Sequence, residues 1–514
     1  MFCKIFLVIH LALLTATPVA IGQHFNKLYD YDSTADFGSN IFQQKAGNYF
    51  IINSALNNNN LQNEIGCMFI LSNGILIGKK NILYSNSASF YSTTSGRVKL
   101  YNNKFLVPIT IQAFKGNWYS SRAGLAVLDS IGDSIYTKIY TDSNLCRGFV
   151  NDIAVLPDKG YLLVGQQGDT SYGSPTSVMV IRTDSNGNMI WKHLYAQPHY
   201  SYDQRATSVQ VLSDGRYLIG AGVVQVIANS IQNIIELNPW FIIMNDSGNI
   251  IKDAFWGAGY TGGGNIFKDV HGGYFHWGAI DTLLNPTPSS LQNFPSYITH
   301  LDSNFNINWI KRFPYKLPTF RKEIFLVKQL HNGDYLLLGD EYTSTVAAAT
   351  GWATKVNQNG TTLWDNMYIC DSNQDSYLVD AVENSDGTLV MTGAALSDTL
   401  PHWRGQDLWL VSVDANGCII PGCKTTSINT NLEIISDGIN IYPNPITNKF
   451  VVKSNGPGTL LLYDLTGRLT CKYNIKEGYN NLVFPSYLTN GIYIAEYKDD
   501  KDPQIQVIRL VYQP

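Results

Sequence analysis

Apolar and polar residues alternate along most of the chain, in short runs bounded by Gly, Asn, Asp and Ser. A period of two predicts half-buried strands, and no stretch carries the convincing 3.6-residue period of a helix. One run recurs. A polar turn feeds an apolar strand at Gly47-Asn48-Tyr49-Phe50-Ile51, Asn103-Lys104-Phe105-Leu106-Val107 and Lys159-Gly160-Tyr161-Leu162-Leu163. It returns at Gly215-Arg216-Tyr217-Leu218-Ile219, Gly272-Gly273-Tyr274-Phe275, Gly333-Asp334-Tyr335-Leu336-Leu337 and Gly387-Thr388-Leu389-Val390. The first strand residue falls at 49, 105, 161, 217, 274, 335 and 389, so the steps are 56, 56, 56, 57, 61 and 54. A near-constant step marks an internal repeat.

A second hairpin follows each of these strands. Its turns are Ser72-Asn73-Gly74, Asp129-Ser130-Ile131-Gly132, Asp184-Ser185-Asn186-Gly187, Asn245-Asp246-Ser247-Gly248, Asp302-Ser303-Asn304, Asn357-Gln358-Asn359-Gly360 and Asp414-Ala415-Asn416-Gly417. Glycine supplies the positive φ of a tight hairpin, and Asp or Asn caps its opening. Trp191, Trp309 and Trp364 take one common place in the outgoing strand, where packing between repeats explains them better than a ligand platform.

Each repeat therefore offers four short strands, and a four-stranded sheet cannot bury both of its faces alone. The expected architecture is all-β: a seven-bladed β-propeller over residues 23–423, with an open solenoid of the same hairpins as the alternative. The seventh repeat ends at Pro421 without a last strand, and a spare one, Phe25-Asn26-Lys27-Leu28-Tyr29, precedes the first repeat. That strand is expected to close the ring. A polar linker (424–437) then leads to a small Ig-like β-sandwich at 438–514.

Composition narrows the setting. With 36 Lys+Arg against 40 Asp+Glu and no basic block, nucleic acid is not the expected partner. Residues 1–22 carry Lys4, an apolar stretch from Ile5 to Leu14, and small residues at Ala20 and Gly22. They read as an export signal cut between Gly22 and Gln23, with a buried N-terminal strand or helix as the alternative. No later run is long and apolar enough for a membrane-spanning helix. Six scattered cysteines remain after that cut, and only Cys418 and Cys423 are placed to bridge across a turn.

The tail carries three landmarks: Tyr442-Pro443-Asn444-Pro445, Tyr463-Asp464 with Gly467-Arg468, and Gly491 with Tyr493. In order and spacing these resemble the type A C-terminal sorting domain of proteins exported by the type IX secretion system of Bacteroidota. The resemblance implies that the outer-membrane translocon reads the tail. It also implies a sortase-like peptidase that removes the tail, with attachment at the cell surface. Family tails usually finish on a Lys-containing apolar strand; here Arg509 stands in that strand.

Candidate chemistry is sparse. Gly257-Ala258-Gly259-Tyr260-Thr261-Gly262 matches a phosphate-loop spacing, but no helix follows it. His271-Gly272-Gly273 fills the repeat's own turn, without a G-x-S-x-G partner. Asp184-Ser185-Asn186-Gly187-Asn188 offers oxygens at alternate positions, as the start of a calcium loop does, without the distal Glu. No other cofactor or metal motif is present. Long loops run over 168–176, 227–239, 281–295 and 397–407; Tyr172 and the trio His402, Trp403 and Arg404 on them are candidate ligand contacts. Two functions compete: a surface-attached module binding glycan or protein, and an extracellular polysaccharide hydrolase or lyase with carboxylates around the central channel.

Overall fold

The computed structural model describes the chain apart from residues 1–23, 31–35, 45–46, 57–62, 84–87, 93–96, 116–117, 142–145, 170–174, 198–202, 229–232, 256–263, 271, 280–295, 314–318, 344–347, 371–373, 397–405, 420–438, 443–445, 455, 465–467, 486, 501–504 and 513–514. Two compact parts emerge, Met1–Thr426 and Ser427–Pro514. The described residues are all-β, with no α-helix.

In the N-terminal part the recurrent strands begin at Tyr49, Lys104, Tyr161, Tyr217, Tyr274, Tyr335 and Leu389. Each follows the first strand of its repeat and pairs with it. The second and third repeats share a nine-stranded sheet through a single parallel pair, Arg147 with Ser121. The other sheets of this part have four strands.

The turns explain the regularity. A positive φ occurs at Gly47, Asn103, Lys159, Gly215, Gly272, Gly333 and Gly387, ahead of the second strands. It occurs again at Gly74, Gly132, Gly187, Gly248, Phe305, Gly360 and Gly417, after the third strands. Carboxylate or amide oxygens cap the later turns: Asp184 Oδ1 accepts from the N–H groups of Asn186 and Asn188 at 2.9 and 2.8 Å. Asp129, Asn245, Asp302, Asn357 and Asp414 repeat that geometry.

Neighbouring repeats are locked by three recurring contacts. The first is a side chain at a bulge in the first strand, which accepts a backbone N–H from the next repeat. Asn40 reaches Val98, Asp152 reaches Val209, Ser208 reaches Ile266, and Asp380 reaches Ile41, all at 2.9–3.0 Å. The second is a fourth-strand tyrosine hydroxyl donating to the next repeat's turn carbonyl. Tyr140 meets Gly187 at 3.0 Å, Tyr195 meets Gly248 at 2.5 Å, Tyr368 meets Gly417 at 2.9 Å, and Tyr29 meets Gly74 at 2.8 Å. The third is tryptophan against a turn: Trp191 and Trp364 donate to the Asp246 and Ala415 carbonyls, both at 3.1 Å.

Burial follows the same rule. Each apolar cluster of this part is built from two successive repeats; one joins Leu106 and Leu125 to Leu163 and Ile181, another Leu162 and Val180 to Ile219 and Trp240. One cluster combines the first and last repeats, with Phe25, Ile51 and Met68 against Val390, Leu408 and Leu410. Full burial of one such aliphatic side chain contributes about 1.5–3 kcal/mol, so these seams dominate the stability of the stack. The strand Asn26–Tyr29 pairs antiparallel with Gln406–Val413, and Trp409 Nε1 donates to Asn26 Oδ1 at 2.5 Å.

Two local expectations change. The segment 227–239 is not a free loop: Tyr217–Ala228 and Asn233–Met244 stay paired out to Ala228 with Asn233. Continued Val and Ile residues on both arms favour pairing over a loop. The first strand of the second repeat is also split, into Ala88–Ser92 and Lys99–Tyr101.

The C-terminal part contains two sheets around one core. Asn440–Tyr442, Lys449–Ser454 and Gly478–Val483 make the first. Leu469–Ile475, Gly458–Tyr463, Gly491–Asp499 and Ile505–Tyr512 make the second, in that spatial order. Phe450 and Val452 from one sheet pack with Leu460, Leu462, Tyr493 and Tyr512 from the other.

Candidate functional site

The first strands of the repeats bring charged groups together across large sequence distances. Arg97 donates to Asn265 Oδ1 at 2.9 Å, which ties the second repeat to the fifth. Its guanidinium also lies 3.6 Å from Asp152, and Lys99 Nζ lies 3.5 Å from the same carboxylate. Asp152 is buried, yet two cations and the Val209 N–H satisfy it. Asp380 is held likewise by Lys328 at 3.1 Å and the Ile41 N–H. Both acids bridge neighbouring repeats. A cavity of about 310 Å³ opens near Asp152, lined by Lys99, Tyr101, Ile153, Val155, Val209 and Gln210.

A second group is purely acidic. Asp30, Asp36 and Asp407 place carboxylate oxygens within 4.8 Å of one another, where the N-terminal strand, the first repeat and the seventh repeat meet. Asp36 and Asp407 are buried. Three carboxylates form the donor set a hard divalent cation takes. Sequence reasoning missed them, because nothing in their spacing links positions 30, 36 and 407.

The structure bears unevenly on the residues singled out from sequence. Tyr172, His402, Trp403, Arg404, Cys423, Gly22 and Gln23 lie outside the described residues. Cys418 is disulfide-bonded, while Cys67, Cys370 and Cys471 carry reduced thiols. Both oxygens of Asp184 are taken by its own turn, Oδ2 by the Asn188 amide at 2.9 Å. The same hydrogen bonds hold its carboxyl below the usual range.

In the tail, the landmarks take structural roles. Asp464 Oδ1 accepts the Arg468 N–H at 3.0 Å, and the Arg468 side chain returns to Asp464 Oδ2 at 3.1 Å, closing the turn after Tyr463. The backbone of Tyr442 pairs with Val451, and that of Arg509 with Ile494. Pro443, Asn444, Pro445 and Gly467 lie outside the described residues. Gly491 starts the strand that carries buried Tyr493, whose hydroxyl donates to the Thr489 carbonyl at 2.7 Å. Tyr512 stacks on Phe484 with ring centroids 4.2 Å apart, so the last strand ends inside the core. Residues 440–511 match the family of secretion system C-terminal sorting domains. The tail is a sorting domain. No curated protein matches the chain.

Among solved structures, the chain carrying this sorting domain is similar to PorZ, a surface component of the type IX secretion system of Porphyromonas gingivalis. Identity is 11%, the TM-score is 0.33, and the match covers 91% of this chain and 69% of that one. The β-propeller domain of the Trilobed protease from Pyrococcus furiosus gives 11% and 0.38, covering 72% and 93%. The α-L-arabinanase of Penicillium chrysogenum gives 10% and 0.38, covering 77% and 99%. Likeness of this order says nothing about ligand or activity.

Proposed function

We propose that this protein is a secreted recognition module: a closed seven-bladed propeller that binds glycan or protein outside the cell, exported by its C-terminal sorting domain. The match of residues 440–511 to the sorting-domain family carries the export half of this reading. On the same reading residues 1–22 are the leader, cut between Gly22 and Gln23, and the tail meets the type IX translocon and its sortase-like peptidase. Attachment to the outer-membrane surface follows. Closure is supported by the contacts of the last repeat with the first. Asp380 to Ile41 and Tyr29 to Gly74 repeat the geometry found between successive repeats elsewhere. Binding without catalysis is favoured because Asp152 and Asp380 are both neutralised. A glycan array with the full chain tests it. Retention of one polysaccharide class is the expected result, and a blank array removes glycan from the proposal.

The Asp30, Asp36 and Asp407 group supports the second reading, a polysaccharide hydrolase or lyase. Turnover of an array-positive polysaccharide, abolished by Asp36→Asn or Asp407→Asn, would establish it.

A further inference from the structure

Between the fourth and fifth repeats lies a cavity of about 350 Å³, within the roughly 300–1,000 Å³ range of small-ligand sites. Its wall brings together Arg216, Lys252, Lys268 and Tyr274, with Asp214 as its one acid. Asp214 is already engaged: Arg216 Nε donates to it at 2.8 Å. Lys252 donates at 3.4 Å to the Asn304 carbonyl and lies over the Phe305 ring. Lys268 sits directly opposite Tyr274 in the strand register, so the two side chains share a face. Its ammonium has no carboxylate partner among the described residues.

Tyr274 departs from its counterparts. In four other repeats the tyrosine at this place has its hydroxyl bonded. Tyr335 donates to Asp269 at 2.7 Å, Tyr49 accepts from Asn384 at 2.9 Å, Tyr161 donates to the Ser185 carbonyl at 3.3 Å, and Tyr217 donates to Asp246. Asp269 and Asn384 open the preceding repeat's turn, where Leu212 stands ahead of Tyr274, whereas Ser185 and Asp246 lie in the tyrosine's own repeat. A leucine offers nothing to a hydroxyl. Tyr274 is only 7% exposed, and no hydrogen bond to its hydroxyl occurs among the described residues. Arg216 and Asp214 pair with each other, so two lysines and one O–H donor are left to the cavity. Tyr274 lines the cavity, and an oxyanion there would accept from its hydroxyl together with the two lysines.

We propose that this cavity binds an oxyanion, a carboxylate or sulfate group, borne by an acidic saccharide or free in solution. The saccharide source rests on the recognition-module reading; the oxyanion site itself does not.

Calorimetric titration of the full chain with sodium glucuronate, sodium sulfate and glucose tests the proposal. Both anions should bind and glucose should not. Lys268→Met and Tyr274→Phe, which keep the apolar bulk, should each weaken binding by about tenfold. Glucuronate binding at least tenfold tighter than sulfate identifies a saccharide-borne group, and equal affinities identify the free ion. No heat with either anion, or affinities unchanged in both variants, overturns the site. An array-positive glycan that still binds Lys268→Met with unchanged affinity would uphold the recognition module while placing its ligand elsewhere.

Discussion

At the scale of single residues, the same backbone demand is met in opposite ways. Lys159 and Phe305 both hold a positive φ, 68° and 69°, in turns where other repeats place glycine. That conformation costs a non-glycine residue about 1–2 kcal/mol. Lys159 is exposed and packs little, so Lys159→Gly should stabilise the protein by up to about 1 kcal/mol in urea unfolding. Phe305 is 6% exposed and stacks on Tyr274, with centroids 5.0 Å apart. Losing a buried ring costs about 3–5 kcal/mol, more than the strain relieved, so Phe305→Gly should destabilise. Stabilisation by both substitutions would refute this balance. His276 makes a pH-dependent case. Its ring is buried, with Nδ1 donating to the Asn265 carbonyl at 2.8 Å and Nε2 accepting from the Tyr297 hydroxyl at 2.7 Å. Burial pulls its pKa down to about 4, against about 6.5 in the unfolded chain. Between those values the unfolded chain binds the extra proton, so stability falls as pH drops through that window, by roughly 3 kcal/mol at most. His276→Gln should flatten the difference between urea midpoints at pH 7.5 and pH 4.5. An undiminished slope in the variant would assign the acid loss to other groups.

Elements show how much the sequence revealed. The repeat was legible because positive-φ turns demand glycine or asparagine, and those residues recur at a near-constant step. The one-residue offset at Lys104, the split first strand of the second repeat and the long hairpin around Ala228 were not, because pairing there is set by neighbouring strands. The candidate sites were least legible. Asp36 meets Asp407, and Leu212 leaves Tyr274 unanswered, only once distant repeats are packed together. The N-terminal strand carries the next prediction. Tyr29→Phe loses one buried hydrogen bond to Gly74 and should cost about 1 kcal/mol. Deleting residues 24–30 should do far more. It bares the edge of Gln406–Val413 and strips Phe25 and Tyr29 from the core shared with Leu408 and Leu410. A lower, less cooperative melting transition with aggregation on gel filtration is expected. A melting curve unchanged by the deletion would argue for an open array.

At the scale of the whole molecule, a stack of self-similar sheets with buried seams is followed in sequence by a sandwich that matches the sorting-domain family. Export through that sandwich is the claim most open to a direct test. The full chain and a version ending at residue 439 should be expressed in a Bacteroidota host with an active type IX system, then located by fractionation and surface proteolysis. The account predicts the full chain outside the cell and the truncated chain held in the periplasm. Equal amounts of both at the surface would contradict it.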